Sequence, residues 1–247
     1  MRALTGQDIV RIWETGLELH PLDRALLILR SAFPGASGHT LARLSVGQRD
    51  SCLLAVREQT FGSSLASLTS CPTCQERLEF MLDIATMQVS PDVSPREEVQ
   101  SLTIEGGELR FRLPNSHDLA AIVSCQNVMM ARRLLWQRCV LQVVQDGSVR
   151  EAQAIERLPE TWIAALAVAM DAADTLAEIR VDLDCPACGH CWQLLFDIVS
   201  FFWTEIAAQA KRLLREVHML ARFYSWREVD ILAMSTVRRQ FYLEMVT

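Results

Sequence analysis

Two pairs of cysteines in this sequence have the spacing of metal-binding turns. In each pair two residues separate the thiols, and the first of these is proline: Cys71 with Cys74, and Cys185 with Cys188. A structural Zn²⁺ takes four thiolate or imidazole ligands at tetrahedral angles, and a Cys-x-x-Cys turn supplies two sulfurs on one side of the ion. The four thiols therefore predict one structural zinc site, shared by two turns that are distant in the chain.

The two turns belong to an internal repeat. Each is followed by a segment with the alternation of a strand, and each segment ends in Asp-Ile, at residues 83–84 and 197–198. These two aspartates are predicted to have turn or cap roles. The inner cysteines, Cys74 and Cys185, are separated by residues 75–184. This segment is longer than the corresponding segment of a compact zinc ribbon. Loop-closure cost rises only logarithmically with length, so a metal clip across this distance remains thermodynamically acceptable.

Other interpretations of the cysteines are weaker. A thioredoxin-like Cys-x-x-Cys begins a helix, whereas both turns lead into strand-like segments. Four thiolates leave no open position for a zinc-bound water, which disfavours a catalytic metal. Two turns with reduced thiols and no metal are the remaining alternative, and His190 or Cys191 could replace a ligand because both lie within three residues of Cys188. The other cysteines are predicted to be small buried apolar residues: Cys52, Cys125 and Cys139.

Composition and motifs exclude several functional classes. The 247-residue chain is 50% hydrophobic with a net charge of −6, and charged residues are mixed along it, so a phosphate-binding surface is not expected. No apolar stretch approaches the roughly 18–20 residues that span a bilayer, and the N-terminus lacks the apolar run of a secretory signal. We find no phosphate loop, dinucleotide fingerprint, Gly-x-Ser-x-Gly or His-Glu-x-x-His motif. We therefore expect a cytoplasmic protein that is not an enzyme.

The residue patterns predict a mainly helical α+β fold. Two knuckle-strand units form a shared zinc-ribbon-like site with four cysteines, and a helical module follows at the C-terminus. Five regions are expected: an N-terminal helical region at 1–70, the first knuckle and strands at 71–113, a helical region at 114–178, the second knuckle and strand at 179–200, and the C-terminal helical module at 201–247. Residues 105–108, Glu-Gly-Gly-Glu, have the glycine chemistry of a hairpin turn.

The C-terminal region shows a long amphipathic helix followed by shorter ones. The helix is predicted over 201–224, and an apolar stripe runs along it: Ile206, Leu213, Val217, Leu220 and Tyr224. Ser225 and Glu228 have capping-box spacing, and Ser235 is expected to cap a last helix that ends near Val246. Trp226 is expected to anchor the turn before this helix, above a set of packed apolar residues: Ile231, Leu232, Phe241 and Leu243.

Several C-terminal strings resemble a known protein family. They are Phe-Phe-Trp-Thr-Glu at 201–205, Leu-Leu-Arg-Glu-Val-His at 213–218, Phe-Tyr-Ser-Trp-Arg-Glu at 223–228, Asp-Ile-Leu at 230–232 and Arg-Arg-Gln-Phe-Tyr-Leu at 238–243. The chain resembles a baseplate hub or assembly protein family of T-even-type contractile phages and phage-tail-like contractile injection systems. The resemblance is strongest over about the last 60 residues. Residues 79–80 and 112–114 resemble the longer, cysteine-containing members, although the zinc site itself is inferred from spacing.

The resemblance implies a structural or chaperone-like assembly protein that docks to a hub or baseplate subunit of the same machine. Arg238 and Arg239 are expected on a solvated face that can pair with an acidic partner, beside two aromatic contact residues, Trp226 and Tyr242. We expect no small-molecule substrate, nucleic acid or membrane as partner. The alternative is a zinc-ribbon nucleic-acid-binding or regulatory protein, which is disfavoured by the acidic residues around the knuckles: Glu76, Glu79, Asp182 and Asp184.

Overall fold

The computed structural model describes residues 1–87, 89–95, 98–145, 148–151 and 158–246. Residues 88, 96–97, 146–147, 152–157 and 247 lie outside the described residues, and so do the parts of the predicted regions that contain them. The helices are α1 (Gly6–Gly16), α2 (Pro21–Ala32), α3 (Gly38–Ala42), α4 (Val46–Phe61), α5 (Ser116–Ile122), α6 (Val128–Cys139), α7 (Glu160–Ala173), α8 (Ile198–Tyr224), α9 (Glu228–Leu232) and α10 (Thr236–Glu244).

The strands form three antiparallel sheets within these ranges. They are β1 (Ser64–Ser70), β2 (Arg77–Asp83), β3 (Gln100–Ile104), β4 (Gly107–Phe111), β5 (Val140–Gln145), β6 (Ser148–Glu151), β7 (Ile179–Asp184) and β8 (Cys191–Phe196). Strands β1 and β2 pair, β7 and β8 pair, and the remaining four form a sheet in the order β3-β4-β5-β6. The predicted α+β, mainly helical fold class is confirmed.

The first hydrophobic core surrounds the long helix α8. Most of its predicted apolar stripe is buried, namely Ile206, Leu213, Val217 and Leu220, whereas Tyr224 is half-buried. Helices α1, α2 and α4 pack on this stripe and contribute fully buried residues such as Ile12, Ile28 and Leu53. The N-terminal helices and the C-terminal helix therefore share one core, although most of the chain lies between them.

The end of α8 differs from the prediction. Ser225 adopts the left-handed conformation, with φ of 56°, and its N–H donates to the Ala221 carbonyl at 2.8 Å. It thus ends α8 instead of forming a capping box with Glu228, and the N-cap of α9 is Arg227. The prediction for the last helix is confirmed, because the Ser235 hydroxyl accepts a hydrogen bond from the Arg238 N–H at the start of α10.

A second core lies between the two cysteine turns in sequence. Helices α6 and α7 pack on the four-stranded sheet around a set of buried residues: Leu109, Phe111, Trp136, Val140, Val143, Trp162 and Leu166. The predicted hairpin turn is confirmed, with Gly106 at φ of 90° between β3 and β4. Region 114–178 was expected to be helical, but it also contains β5 and β6. Strand β5 is rich in β-branched valine and pairs with β4, with Val143 opposite Leu109.

A buried carboxylate joins the two cores. Asp174 follows α7 and accepts hydrogen bonds from the Gly47 N–H at 2.9 Å and the Ser45 hydroxyl at 3.0 Å. Ser45 is the N-cap of α4, so Asp174 satisfies donors at the beginning of a helix from the first core. The chain returns from the second core at a fixed position beside α4.

Candidate metal centre

Each cysteine turn connects the two strands of a hairpin. Strand β1 pairs with β2 from Ser64 opposite Asp83 to Ser70 opposite Arg77, so residues 71–76 form the connection. Strand β7 pairs with β8 as far as Asp184 opposite Cys191, so residues 185–190 form the second connection. Strand β1 lies in a region that was expected to be helical. Both cysteine pairs are therefore held at the ends of hairpins.

The two turns have the same backbone hydrogen bonds. The Cys71 N–H donates to the Glu76 carbonyl at 2.8 Å, and the Cys185 N–H donates to the His190 carbonyl at 2.9 Å. In each turn the fifth residue adopts a positive φ and donates back to the first cysteine, at 2.9 Å for Gln75 and 2.8 Å for Gly189. The sequence repeat thus corresponds to a structural repeat.

The structure brings the four predicted sulfur atoms together. All four lie within 4.8 Å of one another, and two pairs are in contact across the turns: Cys71 with Cys188 at 3.7 Å and Cys74 with Cys185 at 3.5 Å. These separations are too long for a disulfide, and all four thiols are free. Zinc–sulfur bonds of about 2.3 Å at tetrahedral angles place sulfurs about 3.8 Å apart. The cluster is therefore compatible with a zinc ion.

The thiols of this cluster influence one another. Burial raises the pKa of Cys71, but hydrogen bonds from the backbone N–H groups of Cys74 and Thr73 and from neighbouring thiols lower it to about 6. A backbone hydrogen bond from Glu76 lowers the pKa of Cys74, but burial and the adjacent thiols raise it to about 12. One thiolate thus forms easily, while a second next to it is opposed by like charge. A divalent cation removes this repulsion.

The two alternative ligands lie outside the cluster. The exposed Cys191 contacts the Gly189 carbonyl at 3.6 Å, and a hydrogen bond with Asp184 raises the pKa of its thiol. His190 stacks on Trp192 with ring centroids 5.9 Å apart. Two of the remaining cysteines are buried as predicted, and burial raises the pKa of Cys52 and Cys139 to about 12. Cys125 was also predicted to be buried, but it is only half-buried.

Capping aspartates and apolar residues attach the hairpins to the first core. The Asp197 carboxylate accepts from the Val199 and Ser200 N–H groups and so caps α8, while Asp83 caps a short 3-10 turn, Ile84–Thr86. Both predicted roles are confirmed. The residues next to these caps are buried in the first core: Leu65, Ile84, Phe196 and Ile198. The thiol cluster is therefore fixed with respect to α8.

The C-terminal aromatic residues form a compact group. Trp226 stacks on Tyr224 with centroids 4.4 Å apart, and it meets the edge of Tyr242 at 4.9 Å. The guanidinium of the exposed Arg238 lies 5.7 Å from the Tyr242 ring centroid. Trp226 and Tyr242 are both half-buried, so part of each ring remains accessible.

Two expectations for α10 are wrong. Arg239 was expected on a solvated face, but it is only 4% exposed and its Nε donates to Glu216 at 2.5 Å. Phe241 was expected to pack beneath Trp226, but it is 61% exposed. The helix is rotated so that Arg239, Tyr242 and Leu243 face α8, because Glu216 on α8 supplies a buried partner for the guanidinium.

The fold and the cluster define a helical α+β protein with two hairpins that share a tetrathiol centre. A family model described as T4 bacteriophage base plate protein matches residues 28–203, which include both cysteine turns. Since this is more than half of the chain, the protein belongs to that family. The match ends near the start of α8, before most of the C-terminal strings on which the sequence resemblance rested. No curated protein and no solved structure matches.

Among the described residues, none of the helices combines the length and apolarity needed to cross a membrane.

Proposed function

We propose that this chain is a structural or chaperone-like assembly protein of the baseplate of a contractile phage-tail-like particle or injection system. The family match over residues 28–203 carries the proposal. The protein acts in the cytoplasm, where such particles assemble, and is either built into the particle or released after assembly. Its partners are hub or baseplate subunits of the same machine, and no catalytic step is part of this function.

In this proposal Cys71, Cys74, Cys185 and Cys188 bind one structural Zn²⁺. The support is the free state of the thiols and their sulfur–sulfur distances of 3.5 and 3.7 Å. Four sulfurs complete a tetrahedral site, so the ion holds the structure and does not activate water. It joins the first hairpin to the second across the whole inserted core.

The docking surface is proposed at the C-terminal module. Trp226, Tyr242 and Arg238 present accessible aromatic and cationic groups, residue types that are enriched at protein interfaces. Arg239 supports this surface from beneath through its pair with Glu216. An acidic surface on the partner subunit would complement Arg238.

Assembly of the particle tests this function. Cells that lack the chain should produce no complete baseplates, and the wild-type chain should restore them. Mass spectrometry of purified particles then gives the copy number. A fixed copy number identifies a permanent subunit, whereas presence in assembly intermediates alone identifies a chaperone. Complete baseplates in cells that lack the chain would reject both versions.

Charge reversal at the docking surface tests the role of Arg238. Arg238→Glu should reduce co-purification with baseplate subunits at least tenfold, because the cation would be replaced by a group that repels an acidic partner. Arg30→Glu is the matched control, since Arg30 is an exposed arginine on α2, outside the C-terminal module. Equal co-purification of both variants would show that the partner does not contact this surface.

A further inference from the structure

We propose that the cleft between α6 and α7 is a separate binding site for an acidic peptide segment with large apolar side chains, supplied by a partner protein. The cleft belongs to the second core and shares no residue with the tetrathiol centre or the C-terminal module. This inference goes beyond the proposed function, because it assigns a second contact and its chemistry.

The cleft is large enough and apolar enough to receive side chains. Its volume is about 360 Å³, which falls at the lower end of the range of about 300–1,000 Å³ for ligand pockets. Its apolar walls are formed by residues from α6, from α7 and from the segment before α7: Met129, Met130, Trp136, Leu158 and Ile163. Such walls favour aliphatic or aromatic groups.

The rim of the cleft exposes three consecutive large apolar residues. At the beginning of α6, Val128 is 80%, Met129 72% and Met130 52% exposed. Single exposed apolar residues are ordinary on protein surfaces, but a run of them beside a cleft marks an interaction site. Methionine side chains are flexible and polarisable, so they adapt to an incoming side chain.

Trp136 contributes a largely buried aromatic wall to the cleft. Its side chain lines the cleft and is 9% exposed, and its indole N–H has no hydrogen-bond partner in the part of the chain that the structure describes. A buried tryptophan N–H usually finds a partner, and leaving it without one costs about 1–3 kcal/mol. Because this nitrogen is itself shielded from solvent, an occupant of the cleft would contact the indole ring and not its N–H.

Charge selects an acidic occupant. Helix α6 contains no acidic residue, and its Arg138 lies outside the cleft lining and is already paired with Asp118 at 2.8 Å. Arg132 and Arg133 line the cleft. The one carboxylate in its lining, Glu160, is 82% exposed and lies 3.9 Å from Arg132, which is a loose pair. Methionine and leucine walls suit a peptide better than a nucleic acid, whose bases stack on aromatic rings.

A display experiment tests the site. A random library of 12-residue phage-displayed peptides is selected on the immobilised full chain, and the most enriched peptide is synthesised. Enriched peptides should combine at least two carboxylates with a large apolar residue. The double variant Met130→Glu/Arg132→Glu should bind the synthesised peptide at least tenfold more weakly than wild type, because Arg132 lines the cleft and its pair with Glu160 is loose. The control Met81→Glu/Arg222→Glu changes the same residue types at exposed positions elsewhere and should bind within twofold of wild type.

A second readout identifies the contact. The indole N–H resonance of Trp136, assigned with Trp136→Phe, should shift when the synthesised peptide is added. Any one of four results overturns the proposal: no enrichment of acidic peptides, equal binding by the cleft variant, an unmoved indole resonance, or displacement of the peptide by equimolar single-stranded dT12. Zinc content and baseplate assembly are measured on the same variants. If the selection yields no acidic peptide while zinc content and baseplate assembly are normal, the binding site in the cleft is rejected and the proposed baseplate function is not.

Discussion

Arg239 shows how a charged residue that was predicted to meet a partner instead stabilises the fold. Its Nε donates to Glu216 at 2.5 Å, and another of its guanidinium N–H groups donates to the Met234 carbonyl at 3.1 Å. Arg212 also binds Glu216, at 2.9 Å. The sequence shows adjacent arginines at 238 and 239 but not the rotation of α10, which depends on the position of Glu216 on α8.

Removal of this guanidinium should be strongly destabilising. Arg239→Ala leaves the half-buried Glu216 with only the exposed Arg212, and breaking a pair that is largely removed from water should cost about 3 kcal/mol. Arg238→Ala removes an exposed cation above Tyr242 and should cost about 0.5–1 kcal/mol. Urea unfolding of the two variants measures the difference. If the two losses are equal, Arg239 does not stabilise α10 through this pair.

Asp8 provides a pH-dependent contribution to stability. Burial raises its pKa, but hydrogen bonds from Arg2 and Thr5 outweigh burial and lower the pKa from 3.8 to about 2. Because the pKa is lower in the folded state, the stabilisation is complete above about pH 5, declines as pH falls below 4 and is lost near pH 2.

Asp8→Asn should therefore lower the free energy of unfolding by about 1–2 kcal/mol at neutral pH, since the neutral amide loses the ion pair with Arg2 and is a weaker acceptor for the Thr5 N–H. The difference from wild type should become smaller below pH 4. Urea unfolding of both proteins at several pH values measures it, and loss of metal in acid affects the two equally. A difference that stays constant down to pH 2 would contradict the assigned ionisation.

Some helices and strands of this fold could be predicted from local sequence patterns, whereas others depend on pairing with distant parts of the chain. Helix α8 and the strands after both knuckles were predictable, because their periodicity is present in the sequence itself. Strands β1 and β5 were not, because their strand structure depends on the partners β2 and β4. The left-handed Ser225 was also missed, since a serine before Trp-Arg-Glu fits a helix start equally well. The α6–α7 cleft was hidden within a region predicted only as helical.

The junction between the two cores depends on a glycine. A Cβ on Gly47 would lie 2.2 Å from an Asp174 carboxylate oxygen and 2.9 Å from the Ala177 nitrogen. Gly47→Ala should therefore displace Asp174 from the start of α4 and cost about 1–3 kcal/mol in urea unfolding. Gly35→Ala is the control, because nothing lies within 4 Å of its added Cβ. Equal stability of both variants would mean that the junction tolerates the shift.

At the scale of the whole molecule, the tetrathiol cluster closes a long loop. Residues between the two hairpins form the second core, while the hairpins themselves pack on α8 in the first core. The four thiols were predictable because Cys-x-x-Cys spacing and the repeat are visible in the sequence. The meeting of the two turns depends on the first core. In that core Ile84, which follows the first hairpin, and Ile198, the first residue of α8, are buried together with residues of α4.

Elemental analysis of the purified chain measures whether these four cysteines bind a single structural zinc ion. We predict one zinc per wild-type chain and the same content for Cys191→Ser, whose thiol lies outside the cluster. Cys71→Ser, Cys74→Ser, Cys185→Ser and Cys188→Ser should each lose the zinc together with solubility or thermal stability. Wild-type protein that is folded without any bound metal, or full zinc content in Cys185→Ser, would mean that these four thiols do not form a structural zinc site.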